Sequence, residues 1–167
     1  SVEDVRKLLN AGADKISINS SAVKNPNLIQ ELSDEFGKQC VVVAIDTRFV
    51  DGKDIVHVKG GREATSLETL AWAKKVEELG AGELLLTSMN ADGTKSGFDL
   101  RITKLISETV NIPIIASGGA GKPEDFEDVF HETKATGALA ASIFHFGEVP
   151  IPELKKFLNQ KNIAVRH

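Results

Sequence analysis

The stretch Ile112-Pro113-Ile114-Ile115-Ala116-Ser117-Gly118-Gly119-Ala120-Gly121 decides how the rest of the chain is read. It is a short apolar run that stops in a glycine-rich turn, with Pro123 just beyond it. A parallel strand covered on both faces has this composition. Glycines at a strand end let backbone N–H groups come close to an anion, and a following helix adds the positive end of its dipole. Proline fits the first position of such a helix. The local reading is therefore strand, phosphate cradle, helix. A tight strand-to-helix turn with no ligand is the alternative.

The same grammar repeats on both sides. Ser1-Val2-Glu3-Asp4 resembles a capping box, and Val2, Val5, Leu8 and Leu9 follow at helical spacing up to a stop at Gly12. Lys15-Ile16-Ser17-Ile18 reads as a short strand ending at Asn19-Ser20-Ser21. Pro26 opens a helix with Leu28, Ile29, Leu32 and Phe36 on one side, and Gly37 stops it. Cys40 to Ile45 is continuously apolar, hence a buried strand, ending on Asp46. The segment Arg48 to Val58 breaks the rhythm, because Asp51-Gly52 between two β-prone runs is a hairpin signal. Gly60-Gly61-Arg62 reads as a mobile, cationic loop.

Thr65-Ser66-Leu67-Glu68 reads as the cap of a long helix carrying Leu67, Leu70, Ala71, Val76 and Leu79, with Trp72 as packing and Gly80 as its end. Glu83 to Ser88 is the next strand, and Met89 to Gly97 is a polar, glycine-punctuated loop. Helices are expected from Asp99 to Thr109, from Pro123 to Glu132 and from Pro152 to Leu158. Gly137 to Ser142 is a small-residue strand, with His145, Phe146 and Gly147 in its loop. Alternating strands and helices mean parallel strands joined by right-handed crossovers. Five such strands are legible. A (βα)8 barrel needs eight and typically about 250 residues. An open five-stranded sheet and a barrel without its first three strands both fit, as one domain over 1–167. The chain starts without Met at a helix cap, which points to something preceding it in a parent protein.

Composition narrows the function classes. At 167 residues the chain can bury a core, and its 41% apolar and 26% charged residues are those of a globular protein. A net charge of −4 gives no general pull toward nucleic acid or an anionic membrane. A single cysteine, Cys40, excludes an internal disulfide and a cysteine zinc site, and its position in an apolar run predicts a buried thiol. With no signal peptide and no membrane-length apolar segment, a cytoplasmic or organelle matrix protein is expected, the cytoplasm first. His57, His131, His145 and His167 have no metal spacing, and most of them read as surface or loop residues. No metal and no cofactor is expected.

The strand ends carry the chemistry. They hold Asn19 and Ser20; Asp46; Thr87 with Asp92; Ser117-Gly118-Gly119; and Ala141-Ser142. Barrel enzymes build their sites at that face, often with a phosphate at the last two strands. Asp46 is followed by a hairpin rather than a helix, which weakens its reading as a helix cap and leaves general acid–base work open. Asp92 precedes Gly93, which is also turn chemistry. Lys15 and Glu83 start two strands and would meet at the opposite end of the sheet, as an ion pair or as part of a gate.

Together the segments Asp14–Asn19, Val42–Asp46, Leu86–Thr94, Ile115–Gly121 and Leu139–Phe146 resemble the cyclase subunit of imidazole glycerol phosphate synthase, in family order along essentially the whole chain. The resemblance implies a (βα)8 barrel that binds a ribulosyl substrate with a phosphate at each end. That enzyme takes ammonia from a glutaminase partner, closes the imidazole ring and releases an aminoimidazole carboxamide ribotide. It implies that Asp46 is one of two catalytic aspartates. Ser117, Gly118, Gly119, Ala141 and Ser142 would hold one phosphate, with Asp92 and Gly93 beside it, and Asn19 and Ser20 would belong to the other. Thr87 would contact the substrate's middle. Lys15 and Glu83 match two members of the charged gate at the face where ammonia enters and the partner docks.

The departure from the family pattern is that the first three strands, the other catalytic aspartate and a second glycine-rich loop have no counterpart in this sequence. A fragment with little activity is therefore expected, completed by its absent segment or associating through open sheet edges. The sister isomerase of the pathway and a non-catalytic phosphate-binding half-barrel are the competing readings. The hairpin after Asp46 and the Lys15/Glu83 pair favour the cyclase over the isomerase.

Overall fold

The computed structural model describes residues 1–166; His167 lies outside the described residues. Among the described residues seven strands form one sheet: β1 (Ile16–Ile18), β2 (Val41–Val50), β3 (Lys53–Val58), β4 (Glu63–Glu68), β5 (Glu83–Ser88), β6 (Ile114–Ser117) and β7 (Gly137–Leu139). Five of them are parallel, in the order β1, β2, β5, β6, β7, which is also their order along the chain. The order never reverses, so the sheet has no switch point of the doubly wound kind.

The helices are α1 (Val2–Asn10), α2 (Ser20–Lys24), α3 (Asn27–Phe36), α4 (Thr69–Glu78), α5 (Leu100–Thr109), α6 (Pro123–Glu132), α7 (Ser142–His145) and α8 (Ile151–Gln160). All of them pack on one face of the sheet. Val41, Val43, Ile45, Leu84, Leu86 and Ile114 share a core with Ile29, Leu32, Trp72, Val76, Ile102 and Ile106. Ala116 joins a second core with Phe126, Val129, Ile143 and Leu154. The alternating residues Val42, Ala44, Leu85, Ile115 and Leu139 belong to neither core, as the two-residue period of a strand requires. A right-handed crossover repeated in one direction always lays its helix on the same side.

Several elements follow their sequence signals closely. Ser1 and Asp4 form the capping box of α1, Asp99 caps α5, and Pro123 starts α6. Asp51 and Gly52 turn the hairpin with φ of 49° and 82°, so Val50 pairs with Lys53. Both positive angles are those of a tight hairpin turn.

Other expectations are corrected. The strand does not end on Asp46: β2 runs on to Val50, pairing with β1 at its start and with β3 at its end. Thr65 to Glu68 is not a helix cap but strand β4, which extends the hairpin to a third strand, and the helix begins at Thr69. Pairing with β3 satisfies the backbone of this segment, and that overrides its capping pattern. Ala71 is exposed, whereas Trp72 and Ala73 face the core. Cys40 is only half-buried, because it sits in a 3-10 turn (Lys38–Cys40) ahead of the strand. The last parallel strand stops at Leu139, so Ser142 and His145 lie in the short helix α7 rather than in strand and loop. His57 is the buried exception among the histidines, 6% exposed within β3. No helix among the described residues is long and apolar enough to cross a membrane.

Candidate active site

Two clefts adjoin at the C-terminal ends of the parallel strands. The first, about 210 Å³, lies between the loop after β5, the glycine stretch after β6 and the segment from β7 into α7. Its walls include Asp92, Gly93, Ser117, Gly118, Gly119, Ala141 and Ser142, so one end of the sheet gathers the residues read as a phosphate site. The second, about 360 Å³, is lined by Asp46, Arg48, Gly60, Gly61, Thr87, Met89 and Asp92. Asp92 belongs to both.

The first cleft differs in construction from the expected cradle. The N-terminus of α6 does not supply donors to it. Asp125, buried at the start of that helix, accepts the N–H groups of Gly121 (2.7 Å) and Lys122 (3.0 Å) through Oδ2. A carboxylate already occupies the positive end of this helix, which is the stable place for it. The cleft is closed instead by the start of α7, whose first N–H groups have no intrahelical acceptor. The glycines also have a packing reason. Gly97 N–H donates to Gly119 O at 2.9 Å, and a Cβ on Gly119 would lie 2.1 Å from Gly97 O. The loop after β5 therefore rests directly on the backbone after β6.

Asp46 organises the second cleft. Its Cα partner on β5 is Thr87, and its partner on β3 is His57. Asn19 Nδ2 donates to Asp46 Oδ2 at 3.0 Å, while Asn19 Oδ1 is buried without a protein partner. Burial pushes the Asp46 carboxyl above the usual carboxylate range; the Asn19 bond opposes this, the nearby Asp92 charge adds to it and His57 offsets it. A carboxyl raised in this way is closer to sharing its proton at neutral pH, which suits acid–base work.

The resemblance implies Asn19 and Ser20 at the second phosphate site, and in the structure both side chains also bond within the chain. Asn19 binds Asp46, and Ser20 Oγ accepts the Lys59 N–H at 2.8 Å. His57 was missed as a neighbour of Asp46, since only pairing of the hairpin aligns the two. Its Nδ1 lies 3.0 Å from Ile55 O, so Nδ1 carries the proton there. At the opposite end of the sheet, Lys15 Nζ and Glu83 Oε2 are 2.8 Å apart, the expected ion pair. Among the described residues no three His, Cys, Asp or Glu side chains converge as a metal site.

Residues 1–150 match the family model for the histidine biosynthesis proteins. The chain belongs to that family. It is 63% identical over 166 residues to the imidazole glycerol phosphate synthase subunit HisF of Cytophaga hutchinsonii. It is 58% identical over 166 residues to the subunits of the same name from Alkaliphilus metalliredigens and a Hydrogenobaculum species. Each alignment covers 99% of this chain, which spans 66% of the length of each relative. These relatives bear the name of the synthase that the strand-end motifs resemble, so the resemblance holds. Within this histidine biosynthesis chain one further charged residue lines the first cleft: Lys95, in the loop after β5. Its signal in the sequence was a cation inside a glycine-punctuated loop at a strand's C-terminal end.

Proposed function

We propose that this chain carries the larger part of the cyclase site of an imidazole glycerol phosphate synthase. In this reading the five parallel strands are an arc of a (βα)8 barrel. Helices on one face only, strands in chain order and an uncovered second face support the arc. The remaining strands would come from sequence beyond this chain, which spans 66% of the length of its relatives. The reaction joins ammonia, delivered by a glutaminase subunit, to a bis-phosphorylated ribulosyl aminoimidazole. It yields imidazole glycerol phosphate, aminoimidazole carboxamide ribotide and water.

The adjoining clefts that share Asp92 carry this reading. A substrate with a phosphate at its end needs an anion site within one molecule's reach of a proton-transfer group. Ser117, Gly118, Gly119, Ala141 and Ser142 hold the phosphate, with Asp92 and Gly93 at its side. Thr87 meets the middle of the substrate. Asp46 gives or takes a proton, and Asn19 orients it. Asn19 and Ser20 also face the second phosphate, with donors completed by the absent strands. The Lys15–Glu83 pair guards the N-terminal face, where the glutaminase docks and ammonia enters. A cytoplasmic location belongs to the same proposal.

The test is ammonia-dependent loss of the ribulosyl substrate. It is run first with this chain alone and then with the complementary strand–helix units supplied as a second polypeptide. Turnover in the mixture alone is expected. Turnover by the chain alone would overturn the need for a second carboxylate. No turnover in either, with phosphate still bound, would leave a binding half-barrel.

A further inference from the structure

A phosphate monoester carries close to two negative charges near neutral pH. The charged lining of the first cleft, among the described residues, consists of Asp92 and Lys95. Without Lys95 the only charge there would be a carboxylate, which repels such a ligand. Lys95 is, however, already paired. Its Nζ lies 2.6 and 2.7 Å from the two carboxylate oxygens of Glu148, in the segment between α7 and α8. The pair spans from the loop after β5 to the segment after β7, across β6. Its side chains are 43% and 41% exposed, so water screens the attraction and leaves it easily exchanged.

The backbone holds Lys95 at this spot. Its φ is 56°, in the left-handed region that a lysine rarely adopts. Such positions persist where surrounding structure enforces them, and they gather at sites that handle ligands. The enforcing structure is the glycine stretch itself. A Cβ on Gly121 would lie 2.3 Å from Lys95 O and 2.9 Å from Lys95 Cβ, so any larger residue there would displace the lysine.

We infer that Lys95 is the cationic ligand of a phosphoryl group in this cleft, and that Glu148 is an internal anion which the phosphoryl group displaces. The inference rests on the phosphate-site reading above and goes further, since it names a ligand and a competitor that the strand-end motifs do not contain. Glu148 keeps the lysine neutralised until a stronger anion arrives. A phosphate dianion offers more charge and more acceptor oxygens than a carboxylate.

Inorganic phosphate and glycerol 3-phosphate are titrated at about pH 8, where both are dianions. The proteins are the unsubstituted chain, Glu148→Gln, Lys95→Gln and the double variant, followed by the NMR amide shifts of Gly118 and Gly119. Glu148→Gln is expected to bind up to about fivefold tighter, the effect of removing one exposed ion pair. Lys95→Gln is expected to bind about tenfold weaker or worse. In the Lys95→Gln background the Glu148 substitution should change nothing. Equal tightening with and without Lys95 would mean a general charge effect and would overturn the inference. So would a Lys95→Gln protein that binds normally. Should Lys95→Gln fail to fold, the Lys95 Nζ resonance of the unsubstituted chain decides: it must move on saturation, and a stationary signal sinks the inference. If the glycine amides shift in no protein, the phosphate-site reading fails with it; if they shift without regard to Lys95, only the inference fails.

Discussion

Asp46 was legible as a polar residue closing an apolar run, but its environment was not. Asn19, the hairpin residue His57 and Asp92 surround it from three different parts of the chain. In the mixture with the complementary strand–helix units, Asp46→Asn is expected to lower ammonia-dependent turnover by about 10²–10⁴-fold, the usual share of one acid–base group. It should also raise stability at neutral pH. Because the folded carboxyl has a raised pKa, its favourable contribution is present below the unfolded value and lost as pH rises through the folded one. The neutral asparagine escapes that loss. Thermal melts should therefore differ at neutral pH and converge near about pH 4; a variant less stable at neutral pH would refute the burial argument. Asn19→Ala removes the bond that favours the carboxylate. The acidic limb of the pH–rate profile should then move to higher pH, and a limb that stays put would mean that Asn19 does not tune Asp46.

At the scale of elements, the hairpin illustrates both success and failure of local signals. Asp51-Gly52 specified its turn, and chain chemistry alone sufficed for that. The third strand, β4, was hidden because a Thr-Ser-x-Glu pattern is ambiguous until β3 offers a partner. Three contacts tie the hairpin down. Arg101 of α5 forms a two-pronged bridge to Asp54 at 2.8 and 2.6 Å, and its guanidinium lies 4.7 Å from the Phe49 ring. Phe49 N–H donates to Asn90 Oδ1 at 2.8 Å. Arg101→Ala should cost about 1 kcal/mol, the sum of a half-exposed ion pair and a cation–π contact. That is a melting temperature lower by about 2–4 °C. Hydrogen exchange should quicken at the hairpin and not at β5, and uniform quickening would mean that Arg101 supports the whole fold instead. The glycine turn after β6 was read correctly as a turn to a helix, but not as to which helix borders the cleft. Asp125 closes off α6, and α7 takes its place.

For the whole molecule, winding direction is what turns five strand–helix units into one site. Every crossover has the same hand and direction, so the polar strand ends share an edge and the helices share a face. The other face keeps Leu85 and Ile115 half-buried and Leu139 42% exposed. Apolar surface of this kind drives association. Sedimentation should show concentration-dependent association of the chain, reduced by Leu139→Lys, which puts a charge on that face; a monomer at all concentrations would argue that the face is stable in water. By itself the sequence determined the period of most elements, most of their caps and turns, and the parallel class of the sheet. These follow from local rules: apolar spacing, φ preferences and side-chain capping act within a few residues. The strand-end motifs taken together carried the family resemblance. Tertiary structure alone decided that all helices take one side, that β4 is a strand, that His57 and Asn19 reach Asp46, and that Lys95 meets Glu148. Each of these depends on contacts between residues distant in the chain, whose free energy exists only once packing has brought them together.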